Sequence, residues 1–230
     1  MRLDDNIKKW QEALGVTKWE DFTGEALAQI DCFRFEGRIL PDSGDLLAAF
    51  REVAPEDVRV VVLGQDPYHS TDQHGVAKAR GVAFGYNPVW AGTPNSSMLN
   101  ICTELGVSPD RFDLSLEPWT KQGVLLLNTQ LPVEEDRPLS HKGVWDKFVG
   151  LVLTHLANRD NIVWLSWGAE ARKVVKQYCK EEHSHVTTSH PCRYSAGRGS
   201  AKAPAFLGSD CFGKVNELLA RLEVDMVEWV

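Results

Sequence analysis

The segment 64–69, with the sequence GQDPYH, places a carboxylate, a phenol ring and an imidazole directly after an apolar run at residues 58–63. A β-branched run of this length, ended by glycine and proline, is typical of a buried parallel strand, and open α/β sheets build their sites at the carboxyl ends of such strands. Pro67 fixes one backbone torsion and lacks an N–H group. We therefore expect the Asp66 carboxylate and the Tyr68 ring to be held in one geometry at the rim of a sheet. A Gly-x-Asp-Pro sequence on its own also fits an ordinary turn.

Short apolar runs alternate along the chain with longer helical patterns, and these elements must position the loop 64–69. Candidate strands lie at residues 58–63, 124–127, 162–167 and 185–188. Candidate helices lie at residues 5–14, 45–53, 96–105, 144–156, 169–180 and 209–222. This alternation predicts an α/β fold with a parallel central sheet, which the first two helices would cover.

The length and composition of the chain limit the classes of protein to which it can belong. With 230 residues, 43% of them hydrophobic, the chain is long enough for one compact domain with a substantial core. No stretch reaches the apolar length that crosses a bilayer, and the polar N-terminus lacks the pattern of a secretory signal. Five scattered cysteines without a Cys-x-x-Cys pair, and seven histidines without ligand spacing, predict reduced thiols and no metal site. We expect a soluble intracellular protein.

Several segments resemble one known family, the family 1 uracil-DNA glycosylases. The segment 64–69 resembles the water-activating loop of that family. Further matching segments follow in the expected order at 81–84 (GVAF), 125–129 (LLLNT), 140–145 (SHKGVW), 163–168 (VWLSWG) and 190–191 (HP). The resemblance runs from about residue 41 to the C-terminus. It implies a three-layer α/β/α sandwich with a central four-stranded parallel sheet, in a single domain over 1–230 with a helical cover at 1–40 and a catalytic core at 41–230.

The resemblance implies a monofunctional hydrolase that flips uracil out of DNA and cleaves its N-glycosidic bond, leaving free uracil and an abasic site and so initiating base excision repair, without metal or cofactor. This cleavage builds positive charge on the sugar and negative charge on the base, so the site needs an anion near the sugar and donors at the base. By resemblance, Asp66 would orient a water and stabilise the sugar cation. His190 and the backbone N–H of Gln65 would donate hydrogen bonds to uracil O2.

Three further residues would recognise the flipped base. Phe84 would supply the stacking plane, and the Asn128 amide would satisfy uracil O4 and N3–H together, a pattern that cytosine reverses. The Tyr68 ring would occupy the place of a thymine methyl group. Phe84 alone also fits core packing, and Asn128 alone fits a turn at the end of a strand.

DNA contacts are expected from two groups of residues. Ser97 and Ser140 resemble family positions that bind phosphates, although Ser97 equally fits the N-cap of a helix at 96–105. His141 is expected to contact a phosphate or to support Asp66. After His190-Pro191 the family usually has Ser-Pro-Leu-Ser, in which the leucine enters the duplex. The corresponding residues here, together with one arginine beyond them, are Cys192, Arg193, Tyr194, Ser195 and Arg198.

The net charge and the positions of the basic residues point in opposite directions with respect to DNA binding. The formal net charge of −7 is unusual for a DNA-binding protein, because phosphate contacts favour basic surfaces. We expect a basic groove on an acidic protein. Its members would be Lys78, Arg80, Lys142, Arg193, Arg198 and Lys202. The segments 72–78 and 200–205 are longer than the family usually has, and both would flank this groove.

Two other functions stay open at this point: a scaffold subunit that keeps the fold and the groove with little activity, and a glycosylase with a wider range of damaged bases. The expected partners are uracil-containing DNA, single- or double-stranded, and a proteinaceous inhibitor of such glycosylases. We expect a monomer in the cytoplasm, or in the host nucleus if the protein is viral.

Overall fold

A parallel sheet lies at the centre of the computed structural model, which describes residues 3–16, 37–180 and 182–230. The strands within these ranges are β1 (Ile39–Leu40), β2 (Val60–Gly64), β3 (Val124–Asn128), β4 (Val133–Glu134), β5 (Val163–Trp167) and β6 (His185–Thr188). The α-helices are α1 (Leu3–Leu14), α2 (Ala48–Glu52), α3 (Ser96–Leu105), α4 (Glu117–Thr120), α5 (Asp146–Leu156), α6 (Ala169–Tyr178) and α7 (Cys211–Arg221). Short 3₁₀ helices occupy Ser43–Asp45, Pro55–Asp57 and Pro109–Arg111.

The central sheet has the strand order β3-β2-β5-β6 with every neighbouring pair parallel, so the four predicted strands are confirmed. Successive residues of a strand point to opposite faces. All residues of β3 and β5 are buried, so both faces of the sheet are covered by other layers. This double coverage is the physical reason that these strands appear in the sequence as continuous apolar runs rather than as alternating patterns.

The register of the sheet aligns the carboxyl ends of its strands. Val60 pairs with Val124 and Gly64 with Asn128, while Leu63 pairs with Ser166 across β2 and β5. The loops that follow β2, β3, β5 and β6 therefore leave the sheet on the same edge. This edge carries the site described below.

The N-terminal helix packs against α2 and α5. The Trp10 ring meets Phe50 edge-on at 5.5 Å, and its indole N–H donates to the Val53 carbonyl at 2.8 Å. The second helix begins at Ala48, after the 3₁₀ turn Ser43–Asp45, and packs against β3 of the sheet, while the first helix packs on the second. The rest of the predicted 1–40 cover, including Cys32, lies largely outside the described residues.

A two-stranded antiparallel ribbon of β1 and β4 was not predicted. Each of its strands is two residues long, too short to give a periodic pattern in the sequence. Among the helices that the structure describes, none has the length and apolar character needed to span a membrane.

Candidate active site

The loop 64–69 is bound to the chain that follows β3. The Gly64 carbonyl accepts the N–H of Thr129 at 3.0 Å, and the Gln65 carbonyl accepts the N–H of Gln130 at 2.9 Å. One oxygen of the half-buried Asp66 carboxylate accepts the backbone N–H of Leu139 at 2.9 Å. The carboxylate is therefore held in place at the sheet edge while its second oxygen remains available.

Ser140 and His141 directly follow Leu139, the donor to this carboxylate, and their side chains are bonded within the protein. The Ser140 hydroxyl accepts the N–H of Glu134 at 2.8 Å and lies 3.2 Å from Nδ1 of His141. The His141 side chain is 1% exposed, and burial lowers its pKa. This burial does not favour a phosphate contact, one of the two roles expected of His141.

Phe84 lies at the centre of the aromatic part of the site. Its φ of +65° is rare for a bulky side chain, and such strain persists only where the surroundings impose it. The ring meets Trp167 edge-on at 5.0 Å and lies 5.9 Å from the His190 ring. The Phe84 carbonyl accepts the hydroxyl of Tyr68 at 3.1 Å. Phe84 thus contacts two other predicted site residues, Tyr68 through its carbonyl and His190 through its ring.

Asn128 ends β3 with a buried side chain, 6% exposed. No group among the described residues hydrogen-bonds its amide. Buried amides normally have partners, so an unpaired one at a strand end is suited to a ligand. Gly64 makes room for it, because a Cβ at position 64 would lie 2.1 Å from Oδ1 of Asn128.

We predict that Gly64→Ala displaces the Asn128 amide. The new methyl group would also lie 2.9 Å from Cβ of Ala83, so both neighbours must move. We expect a loss of about 1–3 kcal/mol in the free energy of unfolding and a drop of about tenfold in kcat/KM for uracil release. Gly44→Ala is the control, since a Cβ there meets nothing within 4 Å. Equal stability and activity in the two variants would contradict the close fit.

The His190 imidazole is oriented by its own loop. Its Nδ1 accepts the backbone N–H of Cys192 at 3.0 Å. A neutral ring that accepts at Nδ1 carries its proton on Nε2, and burial lowers the pKa of His190, which favours this neutral form. Gly168, with φ +98°, allows the close approach, because a Cβ there would lie 3.0 Å from Cβ of His190. His190 is thus a neutral donor at Nε2.

Serines connect the loop that follows His190. Ser195 donates its hydroxyl to the His190 carbonyl at 2.9 Å, and Ser189 donates to the Ser195 carbonyl at 2.7 Å. The thiol of Cys192 lies 3.1 Å from the Ser195 hydroxyl. Cys192 and Ser195 therefore bond inside the loop, which does not favour the DNA contacts expected of them.

Three of the loop residues expected to contact DNA are exposed: Arg193, Tyr194 and Arg198. The Tyr194 ring is 69% exposed, with the Arg193 guanidinium 4.6 Å from its centroid and bonded to its hydroxyl. An aromatic ring this exposed, supported on one side by a cation, suits contact with bases.

Two side chains of helix α3 hydrogen-bond to the backbone of the same loop. The Ser96 hydroxyl accepts the N–H of Arg193 at 3.2 Å, and the Asn100 amide donates to the Pro191 carbonyl at 2.6 Å. These two residues were not predicted, although their spacing of four places them on one helix face. The N-cap of α3 is Asn95, whose side chain accepts the N–H of Met98, so the N-cap interpretation of Ser97 is wrong. Ser97 is 7% exposed in the first turn.

Two expected members of the basic groove are withdrawn from the surface, Lys78 buried and Arg80 half-buried. Lys78 is 6% exposed. The Arg80 guanidinium pairs with both oxygens of the Glu52 carboxylate and donates to the Ser115 carbonyl at 2.6 Å. These surroundings do not favour the DNA contacts expected of Lys78 and Arg80, whereas Lys142 and Lys202 are exposed.

A cavity of about 400 Å³ borders the site between α5 and α6. Its lining includes Gly64, Gln65, Gly168 and His190, with Lys142 at its rim. The unpaired Asn128 amide and the Phe84 ring are not part of this lining. The cavity thus adjoins the site on the side of Gln65 and His190.

Comparison with known proteins agrees with this geometry. Residues 50–220 match the family described as the uracil DNA glycosylase superfamily. The chain belongs to this superfamily. It is 36% identical to the uracil-DNA glycosylase of Haemophilus influenzae, over 97% of this chain and 99% of that protein. It is 37% identical to that of Histophilus somni, over 97% of both chains.

Solved structures show the same uracil-DNA glycosylase fold. The crystal structure of mimivirus uracil-DNA glycosylase superposes with a TM-score of 0.86 at 24% identity, covering 100% of this chain and 89% of that one. A mimivirus UNG variant in complex with UGI superposes with a TM-score of 0.81 at 23% identity, covering 100% and 91%. The predicted α/β fold of the family is confirmed.

Proposed function

We propose that this uracil-DNA glycosylase excises uracil by hydrolysis, with Asp66 and His190 as its catalytic residues. The observation that carries the proposal is the His190 ring, fixed as a neutral donor against the Phe84 ring. A neutral imidazole beside a stacking surface suits a departing base that gains negative charge. The Asp66 carboxylate supplies the opposite charge for the sugar.

The reaction needs no group beyond these side chains, the substrate and water. As the bond between the sugar and N1 of uracil lengthens, its electrons move to the base, and the His190 Nε2–H and the Gln65 backbone N–H donate to O2. The sugar becomes oxocarbenium-like, and the Asp66 carboxylate stabilises it and orients the water that adds to C1′. The water loses one proton as its oxygen bonds to C1′, and the uracil anion takes up one proton, so the products are an abasic sugar hydroxyl and neutral uracil. Preorganised donors and charges of this kind cost no reorganisation during the reaction.

Recognition of uracil rests on the buried Asn128 amide. Its N–H group would donate to O4 and its carbonyl would accept N3–H, whereas cytosine offers a donor and an acceptor in the opposite order. The Phe84 ring would stack on the base, and the Tyr68 ring would exclude a substituent at C5. An amide without partners among the described residues is consistent with a ligand that completes it.

The contacts to DNA form part of the same proposal. Arg193 and Arg198 would bind phosphates, with Ser97 and Ser140 at the edges of the groove, and Tyr194 would enter the duplex. We further propose a monomeric, single-domain enzyme acting inside the cell. The mimivirus complex with UGI supports a proteinaceous inhibitor as a partner.

The direct test is release of base from an oligonucleotide with a single uracil, in the presence of EDTA, beside matched thymine and cytosine oligonucleotides. We expect release from the uracil oligonucleotide alone. DNA binding without release would favour the scaffold function, and release of several damaged bases from a wider panel would favour the broader glycosylase.

Tyr194→Ala tests the proposed insertion into the duplex. Stacking on a base is worth about 1–3 kcal/mol, so we expect uracil release from double-stranded DNA to fall about tenfold. Release from single-stranded DNA should change less than about threefold, because no base pair has to be opened. Single-turnover rates on the two substrates measure the difference. An equal loss on both would assign Tyr194 to general DNA binding.

A further inference from the structure

Lys78 is a buried cation without an anion. Its side chain lies in the protein interior, 6% exposed, and the structure gives its ammonium no carboxylate and no hydrogen-bond acceptor among the described residues. Buried charges are normally paired, since an unpaired one loses its hydration without compensation. The groups that surround this ammonium can therefore add to its stabilisation.

Three aromatic rings surround the ammonium. Nζ of Lys78 lies 4.6 Å from the centroid of Tyr68, 4.5 Å from that of Tyr86 and 4.7 Å from that of Trp90. All three distances fall within the range in which the negative face of a ring attracts a cation. The rings also contact one another edge-on, Tyr68 with Tyr86 at 5.0 Å and Tyr86 with Trp90 at 5.1 Å. Lys78 thus connects a cluster of three rings.

Lys78 is the last residue of the long segment 72–78. The Asp72 carboxylate accepts three backbone N–H groups, those of His74, Val76 and Ala91. The contact with Ala91 ties the segment to the chain that carries Trp90. The Asp72 carboxylate thus holds the segment that carries Lys78 against the chain that carries Trp90, one of the three rings.

One ring of the cluster belongs to the site. The Tyr68 hydroxyl donates to the Phe84 carbonyl, which fixes one end of the ring, and Tyr86 contacts its edge. The cation lies over the ring itself. These contacts together oppose rotation and tilting of Tyr68.

We propose that Lys78 is a positioning residue for substrate choice: its ammonium clamps Tyr68 in the orientation that excludes pyrimidines substituted at C5. The inference rests on the proposed function, in which Tyr68 excludes such bases. Lys78 touches neither the base nor the sugar and acts only through the Tyr68 ring. Its loss should therefore relax selectivity while uracil release continues.

The clamp should depend on pH. Burial lowers the pKa of Lys78 to about 8, so the cation is present at neutral pH and lost as the pH rises above that value. The titratable groups facing the ammonium are the phenols of Tyr68 and Tyr86, and burial raises the pKa of both, that of Tyr86 to about 12. On its own segment, Asp72 is bonded to backbone N–H groups. Neither phenol ionises between pH 7 and 9.5.

The test compares thymine release with uracil release in the same enzyme, so that general effects of pH cancel in the ratio. In Lys78→Met we expect this ratio at pH 7 to rise about 3- to 30-fold, the span that a cation–π contact is worth. In the unaltered protein the ratio should rise between pH 7 and 9.5, and in Lys78→Met it should stay constant. Lys78→Arg should keep the low ratio at pH 9.5, because a guanidinium stays protonated. Lys121→Met, at an exposed lysine, is the control.

A second readout needs no DNA. The chain has four tyrosines, so the flipping rate of a labelled Tyr68 ring is accessible to NMR. We expect at least tenfold faster flipping in Lys78→Met, and in the unaltered protein at pH 9.5. Uracil release with unchanged flipping and an unchanged ratio in Lys78→Met would overturn the clamp. Faster flipping in a protein that releases no uracil would leave the clamp standing and overturn the proposed function. If Lys78→Met fails to fold, the pH series and Lys78→Arg decide.

Discussion

Asp66→Asn is expected to slow uracil release by roughly two to three powers of ten, because the substitution removes the negative charge from the group proposed to face the sugar cation. Asparagine has nearly the same shape, and its side-chain oxygen can still accept the Leu139 N–H that holds the carboxylate at 2.9 Å. Structure and DNA binding should therefore be retained. The loss should appear in the chemical step and not in the affinity for DNA.

Single-turnover release of uracil from a duplex, measured beside the dissociation constant for the same duplex, separates these effects. Asp225→Asn is the matched control, since that carboxylate is 85% exposed and pairs with Arg59. A loss of less than about tenfold in Asp66→Asn would remove the carboxylate from the proposed mechanism.

His190→Leu should cause a loss of similar size, about two to three powers of ten, because it removes the Nε2–H donor from the departing base. Leucine keeps an apolar side chain against Phe84, which limits structural damage. His185→Ala is the control, because His185 is exposed at the start of β6, the strand that precedes His190. Equal uracil release by the two variants would contradict the assignment.

The same substitution should change the dependence of stability on pH. The folded-state pKa of His190 is lowered by burial, so the unfolded chain binds a proton more readily than the folded one. The stability that the folded protein gains from a neutral His190 is therefore complete above the ordinary pKa of 6.5. It is lost as the pH falls from there toward the lowered pKa of the folded state. Protonation would also oppose the Cys192 N–H that donates to Nδ1. Thermal unfolding of the two proteins between pH 7.5 and 5 should show the smaller decline in His190→Leu.

Much of the fold followed from local patterns. The four buried strands were visible because both faces of the sheet are covered, and the parallel register then places Gly64 beside Asn128. The helix predicted at 96–105 has the observed bounds Ser96–Leu105. The ribbon of β1 and β4 was invisible because two residues per strand carry no periodicity.

The site was predicted less completely than the fold. Resemblance gave the residues that the structure brings together, but not the strained φ of Phe84, which arises from contacts with distant parts of the chain. Lys78 and Arg80 appeared to belong to a basic surface, because a sequence shows charge but not burial. The first lies among aromatic rings and the second on Glu52, partners that come from other segments.

The neighbouring ends of β2 and β3 also limit how this enzyme can change over generations. A side chain at position 64 should cost less once position 128 has lost its amide, because a Cβ on the first would overlap Oδ1 of the second. The two positions lie 64 residues apart in sequence, yet the effect of a mutation at one is conditional on the residue at the other. Such epistasis favours one order of substitutions: bulk at position 64 is less costly in a lineage that has already replaced Asn128, the residue proposed to recognise the base.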